Sequence, residues 1–168
     1  PLGVVNAYRI VKKHHDVRRV LAGSAEDDPD SREVLADLRE AAHGDADIIL
    51  LELPVDAHIQ VNALQRAATI VLQKSIQEGF ELGAAEAMWK GKPVVGGATG
   101  GLAQQILHGV TGYLVRSVEG AAFRVRDLLN NREQIPRMGV AGREHARRGF
   151  LVTRHLLDYL ALIVHLTA

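Results

Sequence analysis

Short apolar runs alternate with amphipathic stretches along almost the whole chain. Val17-Arg18-Arg19-Val20-Leu21-Ala22-Gly23 predicts a strand that stops at a glycine turn. The acidic loop Glu26-Asp27-Asp28-Pro29-Asp30 follows, and a helix is expected over 31–43. Ile48-Ile49-Leu50-Leu51 has the continuous apolar character of a strand buried on both faces. Pro54 then forces a loop ahead of a helix at His58–Ala67. Further strands are expected at 69–72, 93–96 and 112–115, with helices at 119–129 and 133–148. Strands separated by helices imply parallel βαβ units with helices on both faces. The fold class is α/β, a doubly wound parallel sheet. No internal repeat or low-complexity linker interrupts 1–168, which reads as a single domain.

The two ends depart from that plan. The chain opens on a helix whose Val4, Val5, Tyr8 and Val11 share one face. A doubly wound sheet normally begins with a strand, so the first strand is expected to be missing and the chain to be an excised half. A last helix over 152–166 has one narrow polar stripe, Arg154, Asp158, Ala161 and His165, and is otherwise large and apolar. A surface helix needs a single apolar stripe. The second apolar side is therefore expected to meet a further part of the protein or a second copy, in a homodimer through this helix.

Composition removes several classes. With 168 residues, 47% hydrophobic and 24% charged, the chain can bury a sizeable core. Lys+Arg and Asp+Glu balance at 20 each, which leaves no basic footprint for nucleic acid or an anionic membrane. There is no cysteine, so no disulfide framework or thiolate metal site, and a reducing, cytoplasmic setting is expected. No charged-then-apolar leader opens the sequence. The most apolar run, 156–166, is short for a bilayer and is interrupted by Asp158 and His165, so no membrane partner is expected. His14-His15-Asp16 precedes a strand and is expected to face solvent rather than hold a metal.

In open α/β sheets ligands bind beyond the carboxyl ends of the strands. Three loops meet that condition: 74–82, 97–101, and the one containing Leu53 and Pro54. Glu78 and Glu86 flank a strand-to-helix junction, one in a Gly-containing loop and the other in the opening turns of a helix. Such a junction can bring two carboxylates and several free N–H groups to one crevice. Carboxylates suit neighbouring hydroxyls, and helix-start amides suit phosphate. A phosphorylated sugar carrier fits both. The spacing of Gly96-Gly97-Ala98-Thr99-Gly100-Gly101 does not make a dinucleotide fingerprint.

Glu78-Gly79-Phe80, then Glu86, Gly91-x-Pro93-Val94-Val95, Gly100-Gly101 and Gly109-x-Thr111-Gly112-Tyr113-Leu114-Val115 occur in that order. Together they resemble the C-terminal half of retaining, nucleotide-sugar-dependent glycosyltransferases of the glycosyl transferases group 1 family, whose GT-B fold pairs two Rossmann-like domains. Glu86-Ala87-Met88-Trp89-Lys90-Gly91-Lys92 and the region of Phe150, Thr153 and His155 are most similar to the trehalose glycosyltransferring synthases. The resemblance implies that Glu78 and the backbone at Gly79, Phe80 and Leu82 meet the donor sugar and diphosphate. It implies that Glu86 grips the ribose and that the base lies against Leu53 and Pro54. The donor substrate would be a nucleoside-diphosphate glucose and the acceptor glucose, with no cofactor and no metal. An N-terminal acceptor domain would lie outside the chain, and the isolated half would be inactive.

Three departures qualify this. The family carries Gly where Glu81 stands; a carboxylate about 5 Å from a phosphate costs about 3 kcal/mol at an effective dielectric of about 20. The basic residues that the family places for the diphosphate precede Pro1, and the Glu that commonly follows the Gly-Gly pair is Gln104. Two alternatives stay open: a non-catalytic association domain with a degenerate donor site, or half of a nucleotide-sugar epimerase.

Overall fold

The alternation read from the sequence is the order of the elements along the chain. The computed structural model describes residues 2–24, 29–73 and 79–167. Helix α1 (Leu2–Lys12) leads to β1 (Arg19–Gly23), α2 (Pro29–Ala42), β2 (Ile48–Glu52), α3 (His58–Ala67) and β3 (Val71–Gln73). Then come α4 (Leu82–Trp89), β4 (Val94–Gly97), the single turn α5 (Leu102–Gln105), β5 (Gly112–Val115), α6 (Val118–Asn130), α7 (Gln134–Gly149) and α8 (Val152–Thr167). All strand pairs are parallel, and they form two sheets, β1–β2 and β3–β4–β5.

Strand β4 is the centre of the larger sheet. Successive side chains of a strand point to opposite faces, and here both faces are covered. Val94 packs with Ala84, Ala87 and Met88 of α4 and with Ala146 of α7. Val95 packs with Ala7 and Val11 of α1 and with Ala122 and Leu128 of α6. Helix α7 comes so close to the end of α4 that a Cβ on Gly139 would lie 2.1 Å from the Gly91 carbonyl oxygen. Only glycine permits that approach.

The smaller sheet is covered on one face. Ile48, Leu21 and Leu50 pack with Val5 and Tyr8 of α1 and Leu38 of α2. On the opposite face Val20 and Ile49, paired in register, are 37% and 36% exposed. The expectation that Ile48–Leu51 is buried on both faces is therefore corrected. The reason is that α1 and α2 pack on the same side, while α3 has no buried residue. Helix α1 does bury Val4, Val5, Tyr8 and Val11, as its periodicity requires. It is pinned by Lys12, which pairs with Asp45 and, at 2.8 Å, with Asp47. That lysine holds the Asp45 carboxyl below the usual range.

Helix α8 buries none of its residues. Leu156, Leu157, Leu160 and Ile163 are at least half exposed, and the polar stripe carries an Arg154–Asp158 ion pair. The stretch Gln134–Thr167 contains a window long and apolar enough to cross a membrane by length and composition alone.

Candidate functional site

Strands β3 and β4 end side by side, Gln73 opposite Gly96, so their loops leave from one carboxyl edge. The β3 loop includes Lys74 and Glu78, which lie outside the described residues. From Gly79 the chain runs through Phe80 and Glu81 into α4. Glu81 is the cap residue in extended backbone (φ −100, ψ 98), and its carbonyl accepts from the Ala85 N–H at 3.2 Å. The amides of Leu82, Gly83 and Ala84 therefore lack an acceptor within the helix. They stand at the positive end of the helix dipole, a setting suited to an anion.

Two residues from the β4 loop hold this entry in place. The Gln105 side chain is 2% exposed. It accepts from the Glu81 N–H at 2.9 Å and donates to the Glu81 carbonyl at 3.0 Å. Gly101 lies directly against the same segment: a Cβ there would meet the Gly79 carbonyl oxygen at 2.2 Å. Its neighbour Gly100 has φ +52, the left-handed region. Phe80 stacks edge-on with Phe150 at 5.6 Å, Phe150 with His145 at 5.0 Å, and the His145 Nε2 lies 3.1 Å from the Gln105 carbonyl. The loop is thus braced from two sides.

Glu86 follows Leu82 by one turn of α4, so the two share an exposed face. Its Oε2 accepts from Gln65 of α3 at 3.1 Å and lies 3.6 Å from the Lys90 ammonium. Lys90 also donates to the Gln65 amide oxygen, which closes a three-residue set around one carboxylate oxygen. Leu53 and Pro54 leave β2 at the carboxyl edge of the smaller sheet, where the Leu53 N–H donates to the Gly23 carbonyl at 2.9 Å. Helix α3 links the regions, starting beyond Pro54 and reaching Glu86 through Gln65.

The Glu81 carboxylate stays over the helix entry. Its Oε1 would lie 3.4 Å from a Cβ on Gly83. An acid there is favoured by the dipole and competes with any anion seeking the same amides. Of the two glutamines after the Gly-Gly pair, Gln104 is exposed, and Gln105 is the buried one that bonds to Glu81. The signal was its position three residues after Leu102 and next to Ile106, both buried. The turn after Gly101 is only the four residues of α5, too short to add a dipole of its own. Among the described residues no group of three His, Asp or Glu could hold a metal ion.

The profile of the family described as Glycosyl transferases group 1 matches residues 2–145. A trehalose synthase of Rubrobacter xylanophilus is 43% identical over 169 residues, covering 99% of this chain and 40% of that protein. One of Pyrococcus horikoshii is 40% identical over 163 residues, covering 95% of this chain and 39% of that protein. The chain thus spans about 40% of the length of these curated relatives. Sucrose-phosphate synthase from Thermosynechococcus elongatus superposes with a TM-score of 0.80 at 24% identity, over 98% of this chain and 42% of that one. HepE of Anabaena, in complex with UDP and glucose, gives 0.81 at 20% identity, over 95% and 44%.

Proposed function

Because the chain belongs to the glycosyl transferases group 1 family, we propose that it is the donor-binding half of a retaining glycosyltransferase that joins glucose from a nucleoside-diphosphate glucose to free glucose, forming trehalose. The observation that carries this reading is the Gln105-clamped entry into α4, with Glu86 one turn further in. Relatives named trehalose synthase support the choice of product, and a neighbour holding UDP-glucose supports the donor class.

In this reading the amides at Gly79, Phe80 and Leu82 approach the donor sugar and diphosphate, and Glu78 accepts from the sugar hydroxyls. Glu86 accepts from the ribose hydroxyls, steadied by Gln65 and Lys90. The base rests against Leu53 and Pro54. The chemistry asked of the site is charge stabilisation on the departing diphosphate and orientation of the sugar, not a protein nucleophile. The acceptor sugar belongs to a second domain, N-terminal to this one, and the uncovered apolar faces of α8 are where that domain would rest. A second reading, an association domain that has lost its donor, is favoured by one observation: the Glu81 carboxylate over the helix entry.

Titration calorimetry with UDP, UDP-glucose and the other nucleoside diphosphates separates the two. Saturable binding that weakens about tenfold in Glu86→Gln supports the donor site. Absence of heat with every nucleotide rejects it in favour of the association domain. Trehalose formed by this chain alone would reject the half-enzyme reading.

A further inference from the structure

Helix α7 lies along α4 in the opposite sense, and small residues let it come close. A Cβ on Gly139 would stand 2.1 Å from the Gly91 carbonyl oxygen, just past the end of α4. One on Gly142 would stand 3.4 Å from the Met88 Cγ. Ala146, four residues on, is buried in one cluster with Ala84 and Ala87. As α7 advances, its contacts on α4 thus run back toward the amino end. Its last turn and its cap residue, Phe150, arrive where the chain enters α4.

Two contacts are made there. A carbonyl oxygen can only accept, so the 3.1 Å approach of His145 Nε2 to the Gln105 carbonyl requires a proton on Nε2. The neutral Nε2–H tautomer and the imidazolium both supply it, and the Nδ1–H tautomer does not. Gln105 is the residue whose side chain exchanges two hydrogen bonds with the Glu81 backbone. It ends α5, a single turn of four residues, and a lone turn has little stability of its own. Its main chain is tied from outside, by His145. Phe150 supplies the second contact: its ring meets Phe80 edge-on at 5.6 Å and His145 at 5.0 Å. Phe80 is 45% exposed, so burial alone does not fix it.

We propose that His145 and Phe150 are positioning residues for the nucleotide-sugar site, with α7 as a splint that carries the rigidity of the β4 core to the donor loop. Each acts through a neighbour, Gln105 or Phe80, rather than on the ligand. Such a role rests on the donor-site reading above. Amides at a helix start grip an anion best when their geometry is set beforehand, because ordering a loop on binding takes away from affinity. The splint sets that geometry without placing a side chain in the crevice.

The test makes two substitutions at one position. His145→Phe keeps a ring against Phe150 and removes the donor; His145→Gln keeps an N–H donor and removes the ring. Exchange of the Glu81 amide reports the clamp, and titration calorimetry with UDP-glucose reports affinity. In His145→Phe the Glu81 amide should exchange about tenfold faster and affinity should fall about tenfold, with Val95 exchange unchanged. His145→Gln should recover most of both, which a general loss of stability would not allow. Nitrogen shifts of the unsubstituted chain should show a proton on His145 Nε2, and a bare Nε2 would overturn the proposal. Should His145→Phe not fold, Phe150→Leu, which keeps apolar bulk and removes the ring, must weaken binding about threefold or more. Unchanged affinity overturns the proposal whether or not Glu81 exchange quickens. An unsubstituted chain that binds no UDP-glucose overturns the donor-site reading and this role with it. One that binds, matched by His145→Phe, overturns this role alone.

Discussion

The two sheets are written in the same alphabet of strand and crossover helix, yet one is covered on both faces and the other on one. In the β3–β4–β5 region every residue of β4 is buried and helices cover both faces. In the β1–β2 region one face rests on α1 and α2 and the other leaves Val20 and Ile49 exposed. Local sequence made the strands in both cases, and neighbours decided the burial. The candidate site stands on the doubly covered region, where Gln105 and Gly101 are themselves held by a packed core. Only Leu53 and Pro54 belong to the open one.

The largest difference between the regions should be in stability. Met88→Ala empties a side chain with no exposure, and the cavity should cost about 2–5 kcal/mol. Val20→Ala, on the open face, should cost less than about 1 kcal/mol. Equal losses by urea titration would erase the comparison. Next comes Gly101→Ala, which drives a methyl group into the Gly79 carbonyl. Overpacking of that kind costs about 1–3 kcal/mol, and because the α4 entry must shift, nucleotide affinity should fall by at least tenfold. A stable variant with unchanged affinity would mean that the entry is not part of the site.

Glu81→Gly tests the electrostatic objection. Removing a carboxylate from the helix entry should raise affinity for a nucleoside diphosphate about tenfold or more, with the gain shrinking as salt rises. No gain at low salt would show that Glu81 does not face the phosphates. The smallest effect belongs to the open region. Lys12 depresses the Asp45 carboxyl in the fold, so its contribution is present above about pH 4, the unfolded value, and fades as pH falls through the lower folded one. Asp45→Asn should flatten that acid limb of the stability curve and leave neutral stability only slightly changed.

Much of this was legible in advance. Helix α3 begins and ends where Pro54 and the apolar spacing put it, and Gly112–Val115 forms β5 as its composition indicated. What the sequence hid was relational. A four-residue apolar run such as Ile48–Leu51 looks the same whether one face or both will be covered. Glutamines at 104 and 105 differ only in which way one helical turn rotates them, and the buried one proved to be the clamp. The pairing of Gly101 with Gly79 is a contact between loops 22 residues apart in the chain, beyond any local period. Glu78, first among the sequence-based candidates, lies outside the described residues.

The central claim is that a nucleotide sugar binds where Gly79–Glu81 enters α4. The most direct measurement is a titration of the isotope-labelled chain with UDP-glucose, followed by amide chemical shifts. The account predicts saturable shifts at Gly79 to Gly83, Glu86 and Gly101, with the amides of α8 unmoved. Saturable shifts confined to α8, or none anywhere, would contradict it.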